Sequence, residues 1–207
     1  YHITFNALSG DYCFHQLGNS VSAPKVFAIA VDGLLNETDW VINKPVANVV
    51  DGTVGTDLNE VYFGVAWNVT HLFVGIEITD PTITAFEQGE VFVDGNKSGG
   101  AYDDFDVHLK FSGAGIEVIQ GPEGIAPILG FQVTETGYSA EVAIAWAELG
   151  LTPVEGGQIG FDILIGDNDV LPGTGVEYTL AWNGGLQNYD GTSSFGDLVF
   201  GTLACGC

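Results

Sequence analysis

The sequence predicts an all-β fold, an antiparallel β-sandwich of jelly-roll type. Short runs rich in Val, Ile, Phe and Tyr recur along the chain, separated by Gly, Asn, Asp and Pro. Several runs alternate in character with a period of two, as strands with distinct faces do. No long stretch holds the spacing of an amphipathic helix, and 207 residues is the size of one large β domain.

The chain opens with an arm, residues 1–25, in which Ile3 and Phe5 alternate with His2 and Thr4, and Tyr12, Cys13 and Phe14 form a second short run. The arm is expected to pair with an edge of its own sheet, or with a neighbouring copy. Residues 26–207 read as one module ending in a short Cys-containing tail. Its strands are expected at Val26–Val31, Val46–Val50, Val61–Trp67 and Leu72–Ile78, the last two joined by a tight turn at Asn68–His71. Pro81 follows Asp80 and stops the pairing, because it has no N–H to give a ladder. Further strands are expected at Val91–Val93, Val107–Phe111 and Ile116–Ile119. A hairpin, Ile128–Thr134 with Tyr138–Trp146, comes next. In its second strand Val142, Ile144 and Trp146 share one face and Glu141, Ala143 and Ala145 the other, which predicts a half-buried strand. Ala147–Gly150 reads as one helical turn. Ile159–Ile165, Tyr178–Trp182 and Phe195–Leu203 complete about twelve strands.

The charge is lopsided: 27 acids face 4 lysines with no arginine, a formal net charge of −23. Phosphate recognition rests on Arg and Lys, so neither nucleic acid nor an anionic membrane surface suits this chain. No apolar run reaches the ~18 residues of a membrane span. Neutral sugars, cations and other β surfaces remain as partners. The chain begins at Tyr1 and reads as a mature, secreted protein. Its cysteines, Cys13, Cys205 and Cys207, sit at the two ends; an odd number leaves one thiol for an intermolecular bridge. Sequons at Asn36, Asn68 and Asn96 fall in expected turns, where a glycan has room.

One stretch concentrates oxygen ligands. Asp94, Asn96, Ser98, Asp103, Asp104 and Asp106 crowd a glycine-rich loop between two expected strands. A hard cation such as Ca²⁺ takes about 6–8 oxygen ligands, and this loop supplies them locally. No nucleophile, metalloprotease or phosphate-loop motif is present, and the four histidines are scattered, so a non-catalytic role is expected.

The order of several motifs resembles the family-nine carbohydrate-binding modules. They are Val31-Asp32-Gly33 with Trp40; VAWNVTHLFVGIEITDP (65–81); EVFVDGN (90–96) with Asp103 and Asp104; GYSAEVAIAWAELGLTP (137–153); IGFDILIGDND (159–169); AWN (181–183); and FGDLVF (195–200). The resemblance implies a β-sandwich that grips the end of a sugar chain between two aromatic rings and carries structural calcium. It places the first ring at Phe86 and the second at Tyr189, with Asn188 beside it and Glu90 as a sugar-binding carboxylate. It implies calcium at Asp94, Asn96, Asp103 and Asp104. Both ring positions hold aromatics, though neither is Trp; Trp67, Trp146 and Trp182 fall in strands and are expected in the core. A second reading follows from the aromatic arm and the terminal cysteines: a structural subunit of an extracellular filament or surface layer, in which the arm adds a strand to a neighbour's sheet edge.

Overall fold

The structure is a computed structural model describing residues 20–52, 60–84, 87–168 and 177–203. Phe86, Cys13, Cys205, Cys207 and most of the N-terminal arm lie outside the described residues. The strands are β1 Ser20–Lys25, β2 Lys44–Pro45, β3 Asn48–Gly52, β4 Glu60–Trp67, β5 His71–Thr79, β6 Gln88–Asp94 and β7 Asp106–Ser112. After them come β8 Gly115–Gln120, β9 Ile128–Val133, β10 Gly137–Ala145, β11 Gln158–Asp167, β12 Tyr178–Ala181 and β13 Gly196–Leu203. A 3₁₀ turn, Leu186–Tyr189, precedes the last strand.

The strands follow one hydrogen-bonded path, β8-β7-β6-β11-β13-β1-β4-β5-β10-β9, which folds over into two facing layers. Neighbours are antiparallel except for β1, which runs parallel to both β13 and β4. Inward side chains from both layers meet in one core. It contains Phe63, Trp67, Ile76, Val91, Leu109, Val142, Trp146, Phe161 and Ile163.

Three expectations change. Ser20–Lys25, read as arm, are built into the sheet as β1. Val26–Val31 is not a strand. Val26 and Ile29 instead lie on the outer side of the β4–β5–β10 layer, against Ala66, Phe73 and Ala143. Their apolar character reflects that burial, not pairing. β10 is therefore covered on both faces: Ala143 is 1% exposed and Glu141 also 1%. The period of two was legible, but the alternate face is roofed by residues 26–43.

Candidate functional site

The site is built on the outer face of the other layer. In β6, Val91 and Val93 enter the main core, so Phe92 and its parity neighbours Glu90 and Asp94 point the opposite way. The register sets Phe92 opposite His108 and Glu90 opposite Lys110 on β7. From β11, Asp162 and Leu164 join the same face. This face is roofed by two loops, 95–105 carrying Tyr102 and 182–195 carrying Tyr189 and Phe195.

Asp162 fastens the second loop. Its carboxylate is fully buried and accepts hydrogen bonds from the N–H groups of Ile163 (2.8 Å), Asn183 (3.0 Å) and Gly184 (2.6 Å), and from Asn188 Nδ2 (2.8 Å). Burial raises its pKa and the four donors oppose that rise. Asn188 is 0% exposed, and its Oδ1 accepts from Ser194 Oγ at 2.6 Å. The Tyr102 hydroxyl donates to the Asn188 carbonyl at 2.6 Å. Asn188 is thus turned inward, away from any ligand, and sets the loop's shape.

The next residue, Tyr189, is turned outward and is 45% exposed. Its hydroxyl donates to Glu90 Oε1 at 3.2 Å, while Glu90 Oε2 lies 2.6 Å from His108 Nε2. His108 stacks on Phe92 with ring centroids 4.3 Å apart, and the Tyr189 ring is 5.6 Å from His108. Burial and the Glu90 charge raise the Tyr189 pKa, so the phenol keeps its proton and remains a donor. Tyr189 and Glu90, two of the residues singled out from the sequence, are brought into contact. His108 completes the group, a residue whose alternation with Val107 and Leu109 marks it as outward but whose partner only the register reveals. An open aromatic ring beside a fixed carboxylate and imidazole offers an apolar face with hydrogen-bonding groups at its edge.

The acidic loop is closed by its own hydrogen bonds. Asp94 accepts from the N–H groups of Ser98 (3.1 Å) and Gly99 (3.0 Å), and Asn96 Nδ2 donates to Asp103 Oδ2 at 2.9 Å. That donation, with the Phe105 N–H, holds the Asp103 carboxyl below its usual range. Asp104 is exposed. Beneath them Asp106 is 0% exposed, and its Oδ1 has no hydrogen-bond partner among the described residues. An orphaned buried carboxylate oxygen facing Asp94 and Asp103 is of a kind that fits a cation, and it belongs to Asp106, one of the loop's oxygen donors read from the sequence but not one of the four that the resemblance implies. Of the sequons, Asn36 and Asn96 are exposed, whereas Asn68 Oδ1 caps the β4–β5 turn by accepting from the N–H groups of Thr70 and His71 at 2.8 Å.

Burial, reinforced by Asp94 and Asp103, pushes Asp106 up to about 7, against the Asp103 N–H that donates to it. The folded chain then holds a proton between about pH 4 and pH 7 that the unfolded chain has released. Its stabilising contribution is present at the acid end of that window and lost as pH rises through about 7. In chelator, the melting temperature is expected to fall from about pH 5 to about pH 8, and Asp106→Asn to flatten that slope. A scan that rises over this interval contradicts the assignment.

A second acidic group lies at the strand ends. Asp80 at the end of β5, Glu87 just before β6 and Asp167 at the end of β11 each offer a carboxylate oxygen, all within 4.8 Å of one another. Each is buried. The three are scattered in sequence, and strand ends bring them together.

A family model described as carbohydrate family 9 binding domain-like matches residues 31–202. Two solved structures share the fold, both of a family 9 carbohydrate-binding module from Caldicellulosiruptor kristjanssonii. The glucose complex aligns with a TM-score of 0.76 at 18% identity, covering 91% of this chain and 98% of that one. The cellotriose complex aligns with a TM-score of 0.72 at 18% identity, covering 88% and 94%. Comparison with curated protein sequences gives no match. With the sandwich, the motif order and the family model in agreement, the chain belongs to the carbohydrate family 9 binding domain-like family.

Proposed function

We propose that this domain is a secreted, non-catalytic carbohydrate-binding module whose sugar site is the Tyr189–Glu90–His108 group, with Phe86 as the opposing ring and calcium at the Asp94 loop. One observation carries the reading: Tyr189 is half open to solvent, yet held in place by Glu90 below it and by the Asp162–Asn188 anchor behind it. A pyranose face stacks on the ring, and its hydroxyls meet the carboxylate and imidazole. The sugars held by the two Caldicellulosiruptor structures make glucose and cellotriose the first ligands to try. Calorimetry is expected to detect binding, and Tyr189→Ala or Glu90→Gln to weaken it at least about tenfold, some 1.4 kcal/mol. Equal affinity in both variants and the unsubstituted chain sinks the site.

A second reading, a subunit of an extracellular filament, is favoured by the apolar surface around the start of the module. Phe27 is 86% exposed and Val69 72%, beside a groove lined by Ile29, Val31, Phe73 and Ile128. The N-terminal arm of a neighbouring copy would cover it, and the terminal cysteines would lock the contact. Light scattering with and without residues 1–19 and reductant tests this; a monomer under every condition removes it.

A further inference from the structure

We infer that the arm of one copy, residues 1–8, adds as a strand to the free edge of β9 in a second copy, where Ile3 and Phe5 cover the apolar surface left open around Ile128 and Val133. The inference rests on the filament reading and deepens it, by naming the acceptor strand and making the contact head-to-tail.

β9 is an unguarded edge. Among the described residues it pairs with β10 alone and ends the hydrogen-bonded path. The Thr134 N–H donates to the Gly137 carbonyl, so by antiparallel alternation the N–H and C=O groups of Leu129, Phe131 and Val133 point away from β10. Such edges are ordinarily blunted by charge, proline or a bulge. β9, Ile-Leu-Gly-Phe-Gln-Val, has no charge and no proline. β8, at the other end of the path, has Glu117 opposite Lys110 and a shift of register beside His108. The side chains of β9 are as open as its backbone. Val133, on the core side, is 65% exposed, and Ile128, on the outer side, 50%. Ile128 also lines the outer groove, about 370 Å³, with Ile29, Val31, Phe73 and Ala143.

The arm has what this edge accepts. In an extended strand Tyr1, Ile3, Phe5 and Ala7 share one face, and His2, Thr4 and Asn6 the other. Of the chain's 27 acids only Asp11 falls in the first 19 residues, and none of the four lysines does. Copies of net charge −23 repel one another, and a nearly neutral segment meets little of that repulsion. Eight extended residues span about 26 Å, enough to run the length of β9. Ser20 enters on the closed side of the sandwich, where β1 joins β13 and β4. β9 lies on the open side, at the far end of β1-β4-β5-β10-β9, about 19 Å away. To reach it in the same copy, the arm would cross a face already roofed by residues 26–43, which the Glu141 bonds to Asp32, Gly33 and Trp40 hold down. A neighbour's open side presents no such obstacle. With arm and acceptor on opposite sides, each contact leaves a free arm and a free edge, the arrangement that builds rings or filaments. Main-chain bonds would supply the affinity and the arm's apolar face the specificity.

The test is light scattering of the full chain against Phe5→Asp, Thr4→Asp, Val133→Pro and Ile128→Asp. The unsubstituted chain should associate, and more strongly at about 0.5 M salt than at about 0.05 M, because salt screens the like charge. Phe5→Asp and Val133→Pro should each weaken association at least about tenfold, some 1.4 kcal/mol, and Thr4→Asp, on the polar face, far less. Proline removes one edge N–H and leaves the bonds to β10, so Val133→Pro should fold; if its melting curve shows that it does not, Ile128→Asp takes its place. An equimolar mixture of Phe5→Asp, with a sound edge, and Val133→Pro, with a sound arm, should form dimers and stop there. A mixture that stays monomeric while the unsubstituted chain associates overturns the inference, as an arm folded back on its own β9 would require. So does undiminished association of both edge variants. Either result leaves the filament reading to some other contact. A full chain that is monomeric at every salt concentration removes the filament reading, and this inference with it.

Discussion

Replacing Asp162 with alanine is expected to abolish sugar binding and to destabilise the domain by about 3–5 kcal/mol. The substitution strands three donors from the roofing loop, the N–H groups of Asn183 and Gly184 and the Nδ2 of Asn188, all within 3.0 Å of the carboxylate. A buried donor without a partner costs about 1–3 kcal/mol, and part is recovered where the loop opens to water. Asn188 then loses the one acceptor of its Nδ2, keeping the Ser194 hydroxyl and the Gly185 N–H on its Oδ1, and Tyr189 loses its fixed place above Glu90. Urea denaturation gives the stability change, and calorimetry the loss of affinity. Asp162→Asn keeps the volume and one acceptor, so it should fall between. An alanine variant with native stability and native affinity would show that the loop is held by other contacts.

Glu141→Ala should be comparably destabilising, about 3–4 kcal/mol, while leaving the sugar site untouched. The Glu141 carboxylate accepts from the N–H groups of Asp32 (2.9 Å) and Gly33 (2.8 Å) and from Trp40 Nε1 (2.8 Å). These bonds bind residues 26–43 to the outer face of β10. Removing the acceptor leaves three donors under a partly dry roof, each costing about 1–3 kcal/mol if it stays buried. It also loosens the cover over Phe73 and Ala143. Gly33 accepts no side chain here: at φ +88° a Cβ would lie 2.6 Å from the Phe131 nitrogen. Hydrogen exchange should show early opening at Asp32 and Gly33, with protection retained at Ile163 and Val91. Uniform loss of protection would mean that the roof and the core unfold together.

The contrast between these two carboxylates explains what the sequence could reveal. The strands were legible because alternation is local: β4, β5 and β10 fall within a residue or two of the expected runs. The roofs were not. Val26–Val31 has the composition of a strand, and only the tertiary placement of Phe73 and Ala143 shows that it packs across a sheet. Tyr189 and Glu90 were found through motif order, but Asn188 was given its neighbour's role, since nothing local tells which of two adjacent side chains a 3₁₀ turn buries. Carboxylates were easiest to notice where they were consecutive, at Asp103 and Asp104. The grouping of Asp80, Glu87 and Asp167 was harder to see, because it is joined by the ends of strands far apart in sequence.

The parallel placement of β1 against β13 has a mechanical consequence. Ser20 lies beside Asp197 and Lys25 beside Leu203, so the chain reaches the sandwich at one end of this pair and leaves it at the other. Tension applied through the flanking segments acts along the strand axes. It loads the β1–β13 hydrogen bonds together, in shear, instead of peeling them one after another. Rupture then requires the whole ladder to slide at once, with Val21, Ala23 and Leu198 dragged from the core in the same step. A pair of this geometry resists extension most along the line of its own strands.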